Sequence, residues 1–228
     1  MNQQHVSQVY TSPTTKEQIN FLCNGMQRHC HVTEGHLRRA SSYALALGQR
    51  LSMEPKDLET LRIGALLHDV GKLLVPQTIL LKPERLTADE FARMAQHPGE
   101  GAEWLSGLHW MHDALPILLH HHSQWDGKGY PANIHGYDIP LPARICAIVD
   151  AYDACRTDRY YRKGMSRRDA VQVLVAGRGA YYDPELVDLF IGYLKEDGAA
   201  EDRVLPLQPY SSSSVSVVAR PQRGLLPS

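Results

Sequence analysis

The sequence predicts an all-α protein built as a single helical bundle, and three observations lead to this fold class. Apolar residues recur at intervals of three and four, the spacing that places side chains on one face of a helix. Residues that favour helix starts precede several of the apolar runs. No stretch of convincing length alternates apolar and polar residues as a half-buried strand would.

The first three predicted helices lie in the N-terminal half of the chain. Residues 37–51 carry apolar side chains at helical spacing. Pro55 suits the first turn of a second helix, which is expected to stop near Gly71. Thr87 and Glu90 have the spacing of a capping box and predict the start of a third helix.

Four further helices and one long loop are predicted in the C-terminal half. A helix over residues 114–119 leads into three consecutive histidines, and the next helix begins at Pro142. Ser166 and Asp183 mark the starts of the last two helices. Between the first two of these helices, the Gly- and Pro-rich residues 123–144 predict a shaped loop, of a length that is usually functional. The alternative is an inert surface excursion.

The folded domain is expected to span residues 21–197, because the composition changes on either side. Residues 1–20 are polar and lack periodicity, which predicts a disordered arm. Residues 198–228 are rich in Pro and Ser, which predicts a disordered tail.

The charge balance and the apolar pattern exclude several classes of protein. With 24 Lys and Arg against 25 Asp and Glu, the formal net charge is -1, which excludes a binder of DNA or RNA polymers that works by bulk positive charge. No apolar run approaches the ~20 residues that span a bilayer. The N-terminus has no secretory signal, so the expected location is the cytoplasm.

The strongest local signal for chemistry lies in residues 66–72, where His68 and Asp69 are adjacent. Side by side they offer an imidazole and a carboxylate to one point, and a carboxylate can bridge two cations. We expect Gly71 to let the backbone turn, and Lys72 to bring a positive charge close to the pair. The alternative is an ordinary helix C-terminus, with a capping glycine and a histidine at the negative end of the dipole.

Other candidate ligands lie on separate segments of the chain. They are a triple histidine run, two isolated histidines and two aspartates on an apolar helix: His120, His121, His122, His36, His97, Asp150 and Asp153. Each has an ordinary alternative by itself, namely a polar helix end, a helix-face histidine or a salt bridge to an arginine. Together, imidazoles and carboxylates without a thiolate favour Fe, Mn, Zn or Ni. Two ions ~3.5–4 Å apart suit an in-line displacement at phosphorus.

These residues stand in motifs that resemble the HD-GYP domain, a subgroup of the HD phosphohydrolases that hydrolyses the bacterial messenger cyclic di-GMP. The resemblance covers about residues 30–195 and rests on the following motifs in order: His68-Asp69 with Gly71-Lys72, residues 80–90 leading to His97, His121-His122, residues 126–131, residues 139–141 with 143–145, Asp150 with Asp153, and Asp158-Arg159 with Tyr161-Arg162. It implies a helical bundle of the HD phosphohydrolase type with a Gly/Pro-rich active-site loop.

The resemblance also implies a role for each candidate residue. The metal ligands form two overlapping sets: His36, His68, Asp69 and Asp150 for one divalent ion, and Asp69, His97, His121 and His122 for the other. Two ions of Fe or Mn are expected, with Ni or Zn as alternatives. Asp69 and Lys72 would be the catalytic residues, and Lys72 and Arg144 would contact the phosphate group and offset its growing charge. The substrate pocket would be shaped by Gly129, Tyr130 and Pro131.

Two positions depart from the family pattern. Some members have a glutamate four residues before the first ligand histidine that helps to bind a third metal; Val32 stands there, so we expect two ions and not three. Ser123 stands where the family often has glutamate, and we expect it to weaken the orientation of His121 or His122.

The implied activity is metal-dependent hydrolysis of cyclic di-GMP to linear pGpG, by a two-metal mechanism. Further hydrolysis to GMP, and a mixed cyclic GMP-AMP as the substrate, stay open. The alternative from another class is a catalytically weak signalling module that binds nucleotide or a protein. A response regulator or a diguanylate cyclase as protein partner, and a homodimer, are further expectations from the resemblance.

Overall fold

The computed structural model describes residues 14–30, 34–131, 134–158 and 163–196, and these residues are helical without a β-strand. The α-helices are α1 (Thr15–Cys30), α2 (Glu34–Arg50), α3 (Pro55–Leu67), α4 (Gln77–Leu80), α5 (Ala88–Met94), α6 (His97–Leu105), α7 (Leu115–His120), α8 (Leu141–Arg156), α9 (Arg167–Gly177) and α10 (Pro184–Glu196). Short 3-10 helices cover Val70–Leu74, His109–Ala114 and Gly136–Asp138. The predicted all-α fold class is confirmed.

Helices α2, α3, α7 and α8 form the centre of the bundle. Helix α2 packs on α3 and α8, and α7 packs on the same two helices. Helices α9 and α10 cover α8, whereas α1 and α6 pack against the 3-10 helix Val70–Leu74. No helix in the described part of the chain is long and apolar enough to cross a membrane.

Two hydrophobic clusters hold these helices together. One surrounds Phe190 and includes Val149 of α8, and the other surrounds Met26 and includes Leu67 and Val70. Asp150 follows a residue of the first cluster, and the His68-Asp69 pair stands between two residues of the second. The contact between His68 and Asp150 (3.5 Å) therefore joins a segment of one apolar cluster to a segment of the other.

Helix α1 corrects the predicted N-terminal boundary. It begins at Thr15, inside the stretch predicted to be a disordered arm. Thr14 and Glu17 form a reciprocal cap, in which the Thr14 amide donates to the Glu17 carboxylate (2.7 Å) and the Glu17 amide donates to the Thr14 hydroxyl (3.3 Å). Ile19, Leu22 and Met26 then bury one face of the helix. The sequence signal was present, but it was hidden by the polar composition around it.

Helix-start chemistry was otherwise a reliable guide. Thr87 and Glu90 form the predicted capping box, Pro142 lies in the first turn of α8, and the Ser166 hydroxyl accepts from the amide of Asp169 at the start of α9. Helix α6 was not predicted, because its nine residues contain only a short apolar pattern. Residues 1–13, the predicted tail 198–228 and Val32 lie outside the described residues.

Candidate metal centre

All seven predicted metal ligands lie together at one place in the bundle. Five segments supply them: His36 from the first turn of α2, His68 and Asp69 from the residues after α3, His97 from the start of α6, His121 and His122 from the residues after α7, and Asp150 from α8. Most of them stand at helix ends, where the backbone can bring a side chain inward. The tertiary fold therefore assembles residues that are up to 114 positions apart in the chain.

The first half of the centre surrounds one oxygen of Asp69. Its Oδ1 atom lies 3.3 Å from Nε2 of His97 and 3.7 Å from Nε2 of His121. The two ring nitrogens are themselves 3.3 Å apart, and His122 completes a set whose ligand atoms lie within 4.8 Å of one another. This half offers three imidazoles and one carboxylate.

The second half surrounds Asp150. The Oδ1 atom of Asp150 lies 3.4 Å from Nε2 of His36 and 3.5 Å from Nε2 of His68. His68 Nε2 is also 3.5 Å from Oδ2 of Asp69. Asp69 thus faces both halves, as expected for a carboxylate that bridges two cations.

Unpaired buried atoms show that these residues fit a cation. Nε2 of His68 and Oδ1 of Asp69 are buried and have no hydrogen-bond partner among the described residues. Leaving such atoms unpaired is costly, and a divalent ion between them would satisfy both. The donor set contains only imidazole and carboxylate groups, which suits a divalent transition metal.

The carboxylates of the centre are held in their charged form. Burial by itself would raise the pKa of Asp69, but Lys72 and His68 outweigh it and hold that pKa well below its usual value. Burial likewise opposes the charge on Asp150, yet the neighbouring imidazoles of His36 and His68 keep its pKa well below the usual range. Both acids can therefore ligate a cation.

The imidazoles of the two halves differ in their electrostatics. Burial lowers the pKa of His121 to about 4, and burial with the neighbouring His121 lowers the pKa of His122 well below its usual value. Around Asp150, burial opposes protonation, but hydrogen bonds to Asp150 and Asp153 raise the pKa of His36 to about 8. His121 and His122 thus present neutral rings, which is the form that binds a metal.

Lys72 is part of the centre and lies beside its shared carboxylate. Its Nζ atom donates to Oδ2 of Asp69 at 2.6 Å, and its side chain is 24% exposed. Burial opposes its charge, but Asp69 more than compensates and raises the pKa of Lys72. A permanent positive charge therefore stands at the edge of the cluster.

Gly71 has a different role from the one predicted. Its φ is not in the left-handed region, so the backbone needs no glycine in order to turn there. A Cβ at this position would instead lie 1.9 Å from the carbonyl oxygen of His97 and 2.9 Å from the amide nitrogen of Gly101. Gly71 allows the 3-10 helix Val70–Leu74 to approach the start of α6, and this approach brings His97 to Asp69.

The loop after the histidine pair folds back over the centre. The amide of Tyr130 donates to the carbonyl of His122 at 3.2 Å, and the two rings lie 4.8 Å apart at 34°. A Cβ on Gly129 would come within 2.4 Å of that same carbonyl, so this return also requires glycine. Phe91, which is 53% exposed, contacts the edge of Tyr130, and the half-buried Pro131 follows.

Arg144 makes contacts other than those predicted. Its guanidinium donates to Oδ2 of Asp183 at 2.5 Å and to the carbonyl of Ile139 at 2.8 Å. It also lies over the rings of Trp125 (5.9 Å) and Tyr137 (5.2 Å). The Arg144 side chain thus connects the loop to the residue before α10. None of the described contacts supports its predicted contact with phosphate.

Ser123 also differs from its prediction. Its hydroxyl lies 3.2 Å from Nδ1 of His120, whereas Nδ1 of His121 lies 2.8 Å from the carbonyl of Leu118. Serine at this position therefore contacts the histidine that lies outside the two ligand sets. His121 is oriented by the backbone.

A cavity beside the centre involves residues that the sequence did not single out. Its volume is about 230 Å³, and it is lined by His121, His122, Ser123, Gln124, Ala147, Asp150, Ala151, Tyr181 and Tyr182. The amides of Trp125 and Asp126 donate to the carbonyls of Tyr181 and Ala180, which brings the two tyrosines to the loop. No short motif marks this contact, because it joins segments about 55 residues apart.

Comparison with known proteins gives a family match over most of the chain. The family model of the HD domain matches residues 21–186. A Vibrio cholerae serotype O1 protein named "Probable cyclic di-GMP phosphodiesterase" is 40% identical over 175 residues, covering 70% of this chain and 40% of the relative. The cyclic di-GMP phosphodiesterase response regulator RpfG of Xanthomonas campestris is 35% identical over 178 residues, covering 77% and 47%. The chain thus spans less than half the length of these curated relatives.

Solved structures support the fold. The crystal structure of a cyclic GMP-AMP specific phosphodiesterase of V. cholerae (V-cGAP3) matches with a TM-score of 0.66 and 18% identity, covering 84% of this chain and 53% of that one. The HD domain of the L. monocytogenes phosphodiesterase PgpH, in complex with cyclic-di-AMP, matches with a TM-score of 0.55 and 19% identity, covering 80% and 98%. At this identity the similarity concerns the arrangement of the helices.

Proposed function

The chain belongs to the HD-domain family, in its HD-GYP subgroup, and from this premise we propose that it hydrolyses a phosphodiester bond of a cyclic dinucleotide. The proposed substrate is cyclic di-GMP and the first product is linear pGpG. A cyclic GMP-AMP is the second candidate, because a V. cholerae relative named 3'3'-cGAMP-specific phosphodiesterase 2 is 34% identical over 185 residues.

The observation that carries the proposal is the position of Asp69 between two sets of imidazoles. Its Oδ1 atom faces His97 and His121, while its Oδ2 atom faces His68. With Asp150 on the far side, this arrangement offers ligands for two divalent ions, for which we propose Fe or Mn, with Ni or Zn as alternatives. When bound, such a pair activates water and stabilises the charge that develops on phosphate oxygens.

The protein's own contribution is to hold and charge these groups. The pKa of Asp69 and that of Asp150 stay well below the usual value, so both acids remain anionic at neutral pH. Lys72 supplies a fixed positive charge 2.6 Å from Asp69, where it can offset negative charge on a phosphate group. Asp69 and His68 are buried, and charges that are buried interact more strongly than charges in bulk water.

The cavity supports a substrate larger than phosphate. Its volume of about 230 Å³ is below the ~300–1,000 Å³ of a pocket for a whole drug-sized ligand, so it suits one part of a dinucleotide. It opens between two candidate ligands, His122 and Asp150, and the exposed ring of Tyr181. We propose that a nucleobase lies against this ring, since bases stack on aromatic side chains irrespective of sequence.

A product assay tests the proposal. Protein loaded with Mn²⁺ or, without oxygen, with Fe²⁺ is incubated with cyclic di-GMP, 3'3'-cGAMP and a mononucleotide, and the products are separated by chromatography. We expect linear dinucleotide from at least one cyclic substrate, no turnover of the mononucleotide, and no product from Asp69→Ala. Tight nucleotide binding without product under every metal would instead support the binding-module alternative.

Three expectations from the sequence stay predictions. They are the cytoplasmic location, a homodimer, and a response regulator or diguanylate cyclase as protein partner. Size measurement in solution tests the second, and co-purification tests the third.

A further inference from the structure

His36 is oriented by a different kind of group from the other candidate ligands. The Nδ1 atoms of His68, His97 and His121 lie 2.8–2.9 Å from backbone carbonyls three residues earlier. Those carbonyls are at the ends of helical segments, where they lack a partner within the helix. His36 lies in the first turn of α2, and its Nδ1 atom is 2.7 Å from Oδ2 of Asp153.

Asp153 is itself held rigidly. It is 1% exposed, and Arg39 donates from Nε to its Oδ1 (2.5 Å) and from an Nη to its Oδ2 (3.0 Å). The Thr157 hydroxyl lies 3.2 Å from the same Oδ2. A carboxylate flanked by a guanidinium remains ionised, and an ionised carboxylate only accepts hydrogen bonds. The Nδ1 atom of His36 must therefore carry a proton. In the neutral ring, which is the form that binds a metal, the lone pair is then on Nε2, the atom that faces Asp150.

We propose that Asp153, held by Arg39, is a positioning residue that sets the tautomer of His36 and thereby strengthens cation binding in the half of the centre around Asp150. The inference rests on the proposed metal-dependent function. A carboxylate behind a ligand histidine makes the ring a better donor, and removing such a partner typically costs ~10–100-fold in metal affinity. In the half at Asp69, His97 and His121 have backbone carbonyls behind their rings, so cation binding in that half should not change when Asp153 is altered.

Asp153→Asn tests the proposal with little change in size. The Arg39 guanidinium will take the amide oxygen, which turns the amide nitrogen toward His36 and forces the other tautomer. Mn²⁺ affinity is measured from the electron paramagnetic resonance signal of the free ion, so the readout does not depend on activity. A His97→Ala background isolates the half around Asp150, and a His36→Ala background removes the ring through which Asp153 acts.

We expect Asp153→Asn to weaken Mn²⁺ binding ~10–100-fold in the His97→Ala background and to change it less than about threefold in the His36→Ala background. Asp183→Asn is the matched control, because Asp183 is also buried and paired with an arginine; it should leave Mn²⁺ binding unchanged in both backgrounds. An equal loss in both backgrounds would assign Asp153 a merely structural role and overturn the proposal.

Two further measurements keep the inference separate from the proposed function. Should Asp153→Asn fail to fold, Arg39→Gln loosens the same carboxylate, and unchanged Mn²⁺ affinity in this variant overturns the inference. If the wild-type protein binds two ions and a folded Asp153→Asn variant binds Mn²⁺ with the same affinity, the inference about Asp153 is overturned but the proposed function is not. A wild-type protein that binds no divalent ion overturns the proposed function as well.

Discussion

The Nζ atom of Lys72 lies 2.6 Å from Oδ2 of Asp69, and this contact links the only candidate bridging carboxylate of the described residues to a fixed positive charge. The lysine therefore stands beside the proposed metal positions without being a ligand. Its charge is available to a phosphate group at the same point, which separates the role of Lys72 from that of the metal ligands around it.

Lys72→Ala should preserve metal binding and slow turnover. Removing a positive group that stabilises transition-state charge typically lowers kcat by ~10²–10³-fold. Metal content and kcat are measured on the same preparation. Lys56→Ala removes a lysine from an exposed pair with Asp113 and should change neither. Loss of both ions from Lys72→Ala would make the lysine a structural support of Asp69.

Asp69→Ala should abolish both metal binding and activity, because one carboxylate faces both halves of the centre. Metal content per chain is measured by mass spectrometry after anaerobic purification. Asp113→Ala, which changes an exposed aspartate, should retain the wild-type content. If Asp69→Ala keeps two ions, the bridging role is wrong. The same measurement tests the expectation of two ions that rests on Val32, and three ions in the wild-type protein would contradict it.

Gly71→Ala should destabilise the protein and weaken metal binding together. The new methyl group would lie 1.9 Å from the carbonyl oxygen of His97, and forcing such a contact typically costs ~1–3 kcal/mol. Gly99→Ala is the matched control in α6, since a Cβ there meets nothing within 4 Å. Because alanine also favours a helix over glycine by ~1 kcal/mol, the control variant should not lose stability. Thermal unfolding should show a lower Tm for the first variant, and an unchanged Tm would contradict the close approach.

Tyr181→Ala should raise KM for the cyclic dinucleotide and leave stability nearly unchanged. The side chain is 53% exposed at the cavity, and a base stacked on an aromatic ring contributes ~1–3 kcal/mol, so a KM increase of at least ~5-fold is expected. Phe21→Ala removes an aromatic ring that is 73% exposed on α1 and serves as the control. Equal KM values for the two variants would exclude Tyr181 from the substrate site.

Removal of divalent ions should lower the thermal stability of the protein. The buried, unpaired atoms of His68 and Asp69 would then lose the cation that we expect between them. A ligand at a hundred times its Kd stabilises the folded state by ~2.7 kcal/mol. Differential scanning calorimetry with a chelator, and again after Mn²⁺ is restored, measures the shift in Tm. A Tm that stays the same after chelation and after Mn²⁺ is restored would contradict metal binding at this centre.

Much of the fold could be predicted because helix signals are local. The Thr87 and Glu90 cap, the proline in the first turn of α8 and the Ser166 cap depend on residues within one helical turn. Helix α1 was not predicted although Thr14 and Glu17 have the spacing of a cap, because the polar composition around this short signal is typical of a disordered segment. Helix α6 depends on packing against Val70–Leu74, which no local pattern shows.

The candidate ligands could be named from residue type, but their partners could not. Arg144 was expected at the phosphate and contacts Asp183, which follows 39 positions later. Asp153 was predicted as a candidate ligand, with a salt bridge to an arginine as the alternative, but its partners Arg39 and His36 lie on α2, 114 and 117 positions earlier. Such contacts depend on how α2 and α8 cross, which is a property of the packed bundle.

The helical class, the family and the side chains able to bind a cation can be predicted from the amino-acid sequence, because they follow from local spacing and residue chemistry. The packed bundle is needed to establish which ring nitrogen faces the centre, which group orients His36, and why Gly71 must lack a side chain. These features depend on distances of a few ångströms between segments that are far apart in the chain. Those distances exist only after the apolar clusters have brought the helix ends together.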